Sequence, residues 1–285
     1  SPPMAKLPKR PPRLRRPEAQ ALPGMLNRFD LYELAVQSPV TQARFLRALH
    51  RGRPTMLRED FCGPASIARA WTALPSKDAL RACGVDFDAE PLDHARRRAA
   101  ESGPPTSERM SFEQCDVRAC TTRADIIAAF NFAACELTDR ATLLEYLRHA
   151  RSTLNPGGLL ACDVYGGANA FSAGSSATTI QTPEGPVRYV WHQRKADPIT
   201  ARVENAMHFR LPDGAKMRNA FVYHWRLWSV AELRDAMIDA GFATTEAHLT
   251  YGEAIDDEGD IMATPHAEGE PVDDDFIAYV VGRLD

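Results

Sequence analysis

The sequence lacks any long apolar run. No stretch approaches the roughly 18 to 20 residues that a membrane-spanning helix needs. The N-terminal segment also lacks the apolar stretch of a secretory signal. These absences argue against a membrane partner. With 44% hydrophobic and 25% charged residues, the composition favours a globular protein that works in the cytoplasm.

Paired cysteine motifs are also missing. The six cysteines are scattered, and none belongs to a C-x-x-C pair. Several fall inside predicted strands, which is typical of buried thiols in a reducing compartment. The sequence therefore predicts neither a disulfide framework nor a metal site.

Net charge is mild at −4, but its distribution is uneven. Residues 1–25 are basic and rich in proline, which prevents regular structure and predicts a disordered tail. Such a tail could touch nucleic acid or an acidic partner. Because nothing else in the chain indicates a nucleic-acid module, we do not expect a nucleic-acid partner. Acidic runs lie near the other end, at residues 256–258 and 273–275.

Two short helices are predicted after the tail, within residues 27–50, and Pro39 separates them. Tyr32 and Gln37 in the first helix are candidates to cover a cofactor. The alternative is an amphipathic helix that only caps the edge of a sheet.

Residues 55–86 organise the chain. A first strand ends at Glu59 and Asp60, a turn of small residues follows, and a helix continues from Ile67. A second strand then ends in Asp86. Strand, close-approach turn, helix and carboxylate-tipped strand make half of a nucleotide-binding α/β unit. The carboxylate can accept hydrogen bonds from two ribose hydroxyls.

The strand and helix alternation continues to residue 167. Further strands are predicted at residues 110–114, 125–132 and 159–165, and helices after Asp88 and at residues 138–154. The NPGG sequence at residues 155–158 is predicted to end the second of these helices.

The pattern changes between residues 168 and 228, where four strands rich in aromatic residues are separated by proline and glycine turns. We predict an antiparallel sheet inserted into the α/β domain, where it covers the substrate or forms a dimer contact. Residues 229–285 return to the α/β rhythm with a helix opened by a capping box at Ser229 and Glu232, followed by two strands. The expected domains are thus a tail (1–25), a core (26–167), the insertion (168–228) and the rest of the core (229–285).

This order of features resembles the class I S-adenosylmethionine-dependent methyltransferases. The resemblance implies an α/β fold with a Rossmann-like seven-stranded sheet, interrupted here by the antiparallel insertion. It also implies S-adenosyl-L-methionine as cofactor. The residues that match the family's cofactor positions follow the first four strands of the core: Glu59, Cys62, Gly63, Ala65, Asp86, Phe87, Asp116, Val117 and Asn131.

The first turn departs from the family pattern. Phe61 and Ala65 stand where the family has glycine, so that Gly63 alone remains. A dinucleotide fingerprint would read Gly63, Ala65 and Ala68, which is poorer still. Carboxylates and aromatic rings also suit a sulfonium better than they suit a pyrophosphate.

The acceptor is less defined. Enzymes that methylate the amines of adenine or cytosine carry Asn/Asp-Pro-Pro-aromatic after the fourth strand, and this chain reads NFAA there. Cys135 follows alanine, whereas the nucleophilic cysteine of cytosine C5 enzymes follows proline. What remains is a small molecule or a protein side chain under the inserted sheet. We predict direct in-line methyl transfer to nitrogen, oxygen or sulfur of a small molecule. Tyr165, His208 and His224 are the candidate catalytic residues.

Two alternatives stay open at this point. The chain could be a non-catalytic binding protein with a methyltransferase-like fold. An NAD(P)-dependent oxidoreductase would need a fuller glycine fingerprint and a separate catalytic domain, and neither is visible.

Overall fold

The computed structural model describes residues 26–36, 38–249 and 261–285. The predicted tail at residues 1–25, the candidate Gln37 and the acidic run at residues 256–258 lie outside the described residues.

The elements follow the chain in an α/β order, broken by one run of strands. Up to residue 152 they are α1 (Arg28–Val36), α2 (Pro39–Leu49), β1 (Met56–Asp60), α3 (Ser66–Thr72), β2 (Arg81–Asp86), α4 (Ala89–Glu101), α5 (Thr106–Arg109), β3 (Met110–Gln114), β4 (Ala124–Ala129), a 3-10 turn (Ala133–Glu136) and α6 (Arg140–Ser152). The remainder are β5 (Leu154–Gly166), β6 (Gly174–Thr182), β7 (Gly185–Asp197), β8 (Arg202–Arg210), β9 (Lys216–Arg226), α7 (Val230–Asp239), β10 (Thr244–His248) and β11 (Phe276–Arg283).

The larger sheet confirms the predicted seven-stranded architecture. Its strand order is β10-β11-β5-β4-β1-β2-β3. The strands from β5 to β3 run parallel, and β11 is antiparallel to both β5 and β10. Helices cover both faces, so that β1 and β4 are almost entirely buried. The carboxyl ends of β1, β2, β4 and β5 therefore meet at one edge, where α/β sheets bind ligands.

Side chains fix the boundaries of several helices. Pro39 occupies the first turn of α2, where its missing N–H costs nothing. Asp88 caps α4 by accepting from the Glu90 N–H. Ser229 and Glu232 form the predicted capping box of α7.

Two boundary predictions were wrong. β4 ends at Ala129 rather than residue 132, because the backbone turns into the left-handed region at Asn131 and Phe132. The NPGG sequence lies inside β5 as an irregularity of the β4–β5 pairing, where Ala124 pairs with Leu154 and Ile126 with Leu159. The short helix α5 was not predicted.

The inserted antiparallel sheet, in the order β6-β7-β8-β9, is also confirmed. Alternation along its strands places Tyr189, Met207 and Phe209 on one face, which packs against Leu31 and Ala35 of α1. The first helix of the chain therefore covers the inserted sheet instead of an edge of the main sheet.

Arg58 and Asp60 form a buried ion pair on one face of β1, and both side chains are 0% exposed. Arg58 Nε and Nη2 donate to the two carboxylate oxygens at 2.8 and 3.1 Å, and Nη1 donates to Thr122 O and Thr153 Oγ1. Tyr146 donates its hydroxyl to Asp60 Oδ2 at 3.1 Å. This network satisfies both charges below the turn that follows β1.

Among the described residues, no helix has the length and apolar character that crossing a bilayer requires. The same residues contain no group of three or more His, Cys, Asp or Glu side chains placed to hold a metal ion.

Candidate functional site

The turn after β1 keeps a left-handed backbone even where it lacks glycine. Phe61, Gly63 and Ala65 have φ angles of 54°, 50° and 50°. Ala65 N donates to Cys62 O at 2.8 Å, and Cys62 N donates to Val85 O of β2 at 2.9 Å. At Gly63, an added Cβ would meet nothing within 4 Å, so the turn faces open space there. The turn therefore has the backbone conformation and the open space that allow a ligand to come close to its main chain.

Asp86 lies at the end of β2, beside this turn. Its Oδ2 accepts from Gly63 N at 2.9 Å and its Oδ1 from Asp88 N at 3.0 Å. Burial raises the pKa of Asp86, and these backbone hydrogen bonds oppose the rise. Each carboxylate oxygen retains a lone pair for a ligand. Phe87 follows with its side chain 74% exposed at the rim.

Glu59 supports the turn from below. Its Oε2 accepts from Ala68 N of α3 at 2.7 Å, and the residue is only 3% exposed. Desolvation raises the pKa of Glu59 to about 8.

Asp163 of β5 fixes the loop after β4. Its carboxylate accepts from Asn131 N at 3.0 Å and from Phe132 N at 2.7 Å, the two residues with positive φ. Burial raises the pKa of Asp163 to about 7 even though both N–H groups stabilise the ionised form. The loop then enters the 3-10 turn, which carries Ala133 and Glu136 to the same edge of the sheet.

A cavity of about 360 Å³ lies where these elements meet, which is within the usual size range of small-ligand sites. Its floor comes from the ends of β1, β2 and β4, and its roof from α1 and β9. Its lining includes Arg28, Phe29, Tyr32, Cys62, Gly63, Asp86, Phe87, Asp88, Asn131, Glu136, Phe221, Tyr223 and Trp225.

The roof is aromatic. Tyr223 stacks on Trp225 with ring centroids 4.5 Å apart, and Phe221 lies 5.2 Å from Tyr32 of α1. We call Tyr32, Phe221, Tyr223 and Trp225 the aromatic wall. Burial, with nearby acidic groups, raises the pKa of Tyr32 and of Tyr223 well above the usual value, so that both phenols stay neutral.

Ion pairs fasten α1 over the cavity. Arg28 bonds Glu90 of α4, and Glu33 accepts from Arg69 of α3 at 2.5 Å. His94 Nε2 of α4 lies 3.4 Å from Glu33 Oε1. The helix thus contacts the inserted sheet on one side and the core helices on the other.

Glu136 is an acidic residue of the cavity lining whose pKa is raised toward neutrality. The residue keeps an exposed surface. Partial desolvation nevertheless raises its pKa to about 7, with the charge of Asp86 adding to the effect. Within the described part of the chain, no hydrogen bond to its carboxyl is seen. The sequence analysis missed Glu136 together with Arg28, Phe29 and Phe221. The alternation of aromatics along residues 221–225 was the available signal for Phe221.

The cavity brings together part of the sequence-predicted set. Tyr32, Cys62, Gly63, Asp86, Phe87 and Asn131 line it. Glu59 and Ala65 are buried directly behind the turn.

Asp116 and Val117 lie outside the cavity lining. Asp116 accepts from Arg118 at 2.6 Å, and the hydrogen bonds from Arg118 lower its pKa. Val117 is buried in the core, 4% exposed.

The three candidate catalytic residues also lie outside the lining. Tyr165 is buried between the two sheets, where its hydroxyl donates to Gln193 Oε1 at 2.8 Å and accepts from Asn205 Nδ2 at 3.2 Å. His208 and His224 belong to the opposite face of the antiparallel sheet from the aromatic wall, because side chains alternate along β8 and β9. His208 Nδ1 there accepts from Asn219 N.

Comparison with known proteins agrees with this geometry. Residues 61–158, which run from the turn after β1 into β5, match a family model described as a methyltransferase domain. The search of curated proteins found no match.

Solved methyltransferase structures match most of the chain. The CcbJ methyltransferase from Streptomyces caelestis is 19% identical, with a TM-score of 0.63 over 88% of this chain and 97% of that one. CalS10, an amino pentose methyltransferase from Micromonospora echinaspora, is 15% identical, with a TM-score of 0.61 over 92% and 99%. The sugar N-methyltransferase KedS8 from Streptoalloteichus sp ATCC 53650 is 16% identical, with a TM-score of 0.60 over 96% and 100%.

At these identities the likeness concerns the fold, whereas the family model concerns the sequence of the segment that builds the cavity floor. The chain therefore has the fold of these solved methyltransferases, and its residues 61–158 match the model of a methyltransferase domain.

Proposed function

We propose that this protein transfers the methyl group of S-adenosyl-L-methionine to a small-molecule acceptor by direct in-line displacement. The single observation that carries the proposal is the shared cavity: the turn after β1 and Asp86 lie on its floor, and the aromatic wall forms its roof. The solved relatives include a protein described as SAM bound and two described as acting on sugars, which supports a small acceptor.

The residues fit the cofactor. Gly63 leaves space for a close backbone approach, and Asp86 offers carboxylate oxygens to the ribose hydroxyls. Phe87 offers an exposed ring to the adenine. When bound, S-adenosyl-L-methionine supplies a methyl carbon made electrophilic by the positively charged sulfur.

The chain's own residues contribute position and enclosure. The Asp163 carboxylate holds the loop of Asn131 and Phe132 beside the cofactor turn. Helix α1 and β9 cover the cavity from above. Orienting two bound reactants in one cavity lowers the entropic part of the barrier.

Replacing Asp86 tests the cofactor position. We expect Asp86→Ala to lower the affinity for S-adenosyl-L-methionine by about tenfold or more, because hydrogen bonds to a charged group are worth roughly 1.5–3 kcal/mol each. Isothermal titration calorimetry with S-adenosyl-L-methionine, S-adenosylhomocysteine and NADH measures the effect. Asp86→Asn keeps the shape of the side chain, so it separates lost charge from a loosened turn.

Asp93→Ala, on the exposed surface of α4, is the matched control. Unchanged affinity in both Asp86 variants would contradict the ribose assignment. Binding of NADH alone would favour an oxidoreductase, and binding of neither cofactor would favour a non-catalytic protein. A dimer contact through the inserted sheet and a cytoplasmic location stay predictions.

A further inference from the structure

Three carboxylates line the cavity, and its one guanidinium is already paired. Asp86, Asp88 and Glu136 belong to the lining, while Arg28 bonds Glu90 and stacks over Phe29 and Phe221. The lining of the cavity therefore carries a surplus of negative charge. With Asp86 assigned to the ribose, Asp88 and Glu136 remain to disfavour an anionic acceptor, such as a carboxylate or a phenolate.

The aromatic wall adds a second preference for positive charge. Aromatic faces attract ammonium groups, most strongly where the cation is desolvated. Glu136 opens onto the same cavity, and its charge acts on both Tyr32 and Tyr223 of the wall. A carboxylate beside stacked rings is a chemical match for a protonated amine.

The aromatic wall also contains a hydrogen-bond donor, the indole N–H of Trp225, that has no acceptor among the described residues. Trp225 is 3% exposed and lines the cavity, and among the described residues no acceptor takes its indole Nε1–H. Buried donors are nearly always paired, so this indole N–H is an exception within the wall.

We propose that the methyl acceptor is an aliphatic amine, which binds as an ammonium ion between the aromatic wall and Glu136 and gives its proton to that carboxylate. This inference rests on the proposed function. The freed nitrogen lone pair forms the new bond to the methyl carbon, and the carbon–sulfur electron pair goes to sulfur. The product is a methylated ammonium ion beside neutral S-adenosylhomocysteine. Glu136 later releases its proton to water.

Acidity explains why an amine suits this residue better than an alcohol. An alkylammonium has a pKa of about 10, only a few units above that of Glu136, which desolvation places at about 7. A hydroxyl close to the pKa of water, about 15.7, is out of reach of such a base.

Matched ligands test the inference on the full chain saturated with S-adenosylhomocysteine. The probes are benzylamine and benzyl alcohol, which share a ring and differ in charge. Each is titrated into the protein, and binding is followed by calorimetry or by changes in NMR chemical shift. We expect benzylamine to bind about tenfold more tightly at pH 8. Glu136→Gln should remove most of that preference and leave benzyl alcohol unchanged. Glu101→Gln, an exposed acid on α4, is the control.

The pH dependence supplies a second readout. Glu136 interacts electrostatically with Asp86 on β2, Tyr32 on α1 and Tyr223 on β9. The other charged residues of the lining are Arg28 on α1 and Asp88 before α4. Benzylamine keeps its charge from pH 6 to pH 8, whereas Glu136 loses its proton in that range, so the affinity should rise with pH. The slope should flatten in Glu136→Gln, which leaves only the contribution of Asp86.

The outcomes distinguish a failure of the amine inference from a failure of the proposed function. Equal binding of the two probes, binding of neither, or an unchanged preference in Glu136→Gln would overturn the amine inference while the proposed function stands. Failure of the chain to bind S-adenosylhomocysteine at all would contradict the proposed function and the amine inference with it.

Discussion

Phe61 and Ala65 show why the glycine count of the first turn was a poor guide. A left-handed residue other than glycine costs on the order of 1 kcal/mol, because its Cβ approaches the neighbouring carbonyl. Packing offsets that cost here: the Phe61 ring contacts Tyr146 edge-on at 5.5 Å, and Ala65 is fully buried. The turn therefore has the left-handed backbone that glycine usually indicates, although two of its left-handed positions hold other residues.

The glycine that the turn does require lies on the neighbouring strand. A Cβ at Gly84 of β2 would lie 3.0 Å from Cys62 Sγ, 3.2 Å from Ala65 Cβ and 3.3 Å from Phe112 Cδ1. We expect Gly84→Ala to lower the free energy of unfolding by about 1–3 kcal/mol, as overpacking does, and to weaken cofactor binding by displacing the turn. Urea unfolding and calorimetry measure the two effects.

Gly174 provides the comparison for this substitution. It opens β6, and an added Cβ would meet nothing within 4 Å. Gly174→Ala should therefore stay within about 0.5 kcal/mol of the parent. An equal change in the free energy of unfolding for Gly84→Ala and Gly174→Ala would mean that the turn after β1 can shift to accommodate the added Cβ.

At the scale of elements, the joint between the two sheets depends on buried polar groups. Tyr165 ends β5, and its hydroxyl bonds side-chain amides on β7 and β8. Gln193 also donates to the backbone oxygens of Ala170 and Ser172 in the connection between β5 and β6. The inserted sheet is thus tied to the main sheet at the point where the chain enters it.

Tyr165→Phe tests whether this residue is structural or catalytic. We expect a loss of about 1–3 kcal/mol in the free energy of unfolding, because two buried amides lose their partner. Since the hydroxyl lies outside the cavity lining, cofactor affinity and the turnover of a saturating acceptor should stay near the parent values. A selective fall in kcat without a loss of stability would instead support the predicted catalytic role of Tyr165.

At the scale of the whole molecule, several buried acids make stability depend on pH. Desolvation raises the pKa of Glu59 to about 8 and of Asp163 to about 7, far above their values in an unfolded chain. At pH values between the unfolded-state pKa and the folded-state pKa of such a group, the folded state holds a proton that the unfolded state has released. The free energy of unfolding therefore falls as pH rises through this range.

The urea midpoint of the ligand-free chain should accordingly be lower at pH 8 than at pH 7. This interval avoids most of the opposite contribution from His50, His208 and His248, whose lowered pKa values affect stability mainly below their usual value of 6.5. Glu59→Gln keeps an oxygen for Ala68 N and should reduce the difference. A midpoint that rises with pH would show that Glu59 is ionised in the folded state.

Periodicity and turn chemistry were sufficient to predict the individual strands, the inserted sheet and the capping of α4 and α7, whereas the single seven-stranded sheet was expected from the family resemblance. They were sufficient because each depends on local burial patterns and caps. The cavity roof was harder to predict, since Phe29 and Phe221 meet only through tertiary packing. Alternation along a strand leaves open which of its two faces is covered, and for that reason the prediction fell on His208 and His224, which belong to the face opposite the aromatic wall. Glu136 depended on the left-handed bend after β4, which Asp163 imposes from another strand.

The buried pair of Arg58 and Asp60 restricts how this sequence can change over generations. Losing either partner alone leaves an uncompensated charge inside the protein, which typically costs about 3–5 kcal/mol, whereas two apolar residues of similar volume would be tolerated. A lineage that moves between those two states by single substitutions must pass through a poorly folding ancestor. The two positions should therefore be inherited as a unit, and a descendant that has lost one of them should have lost both.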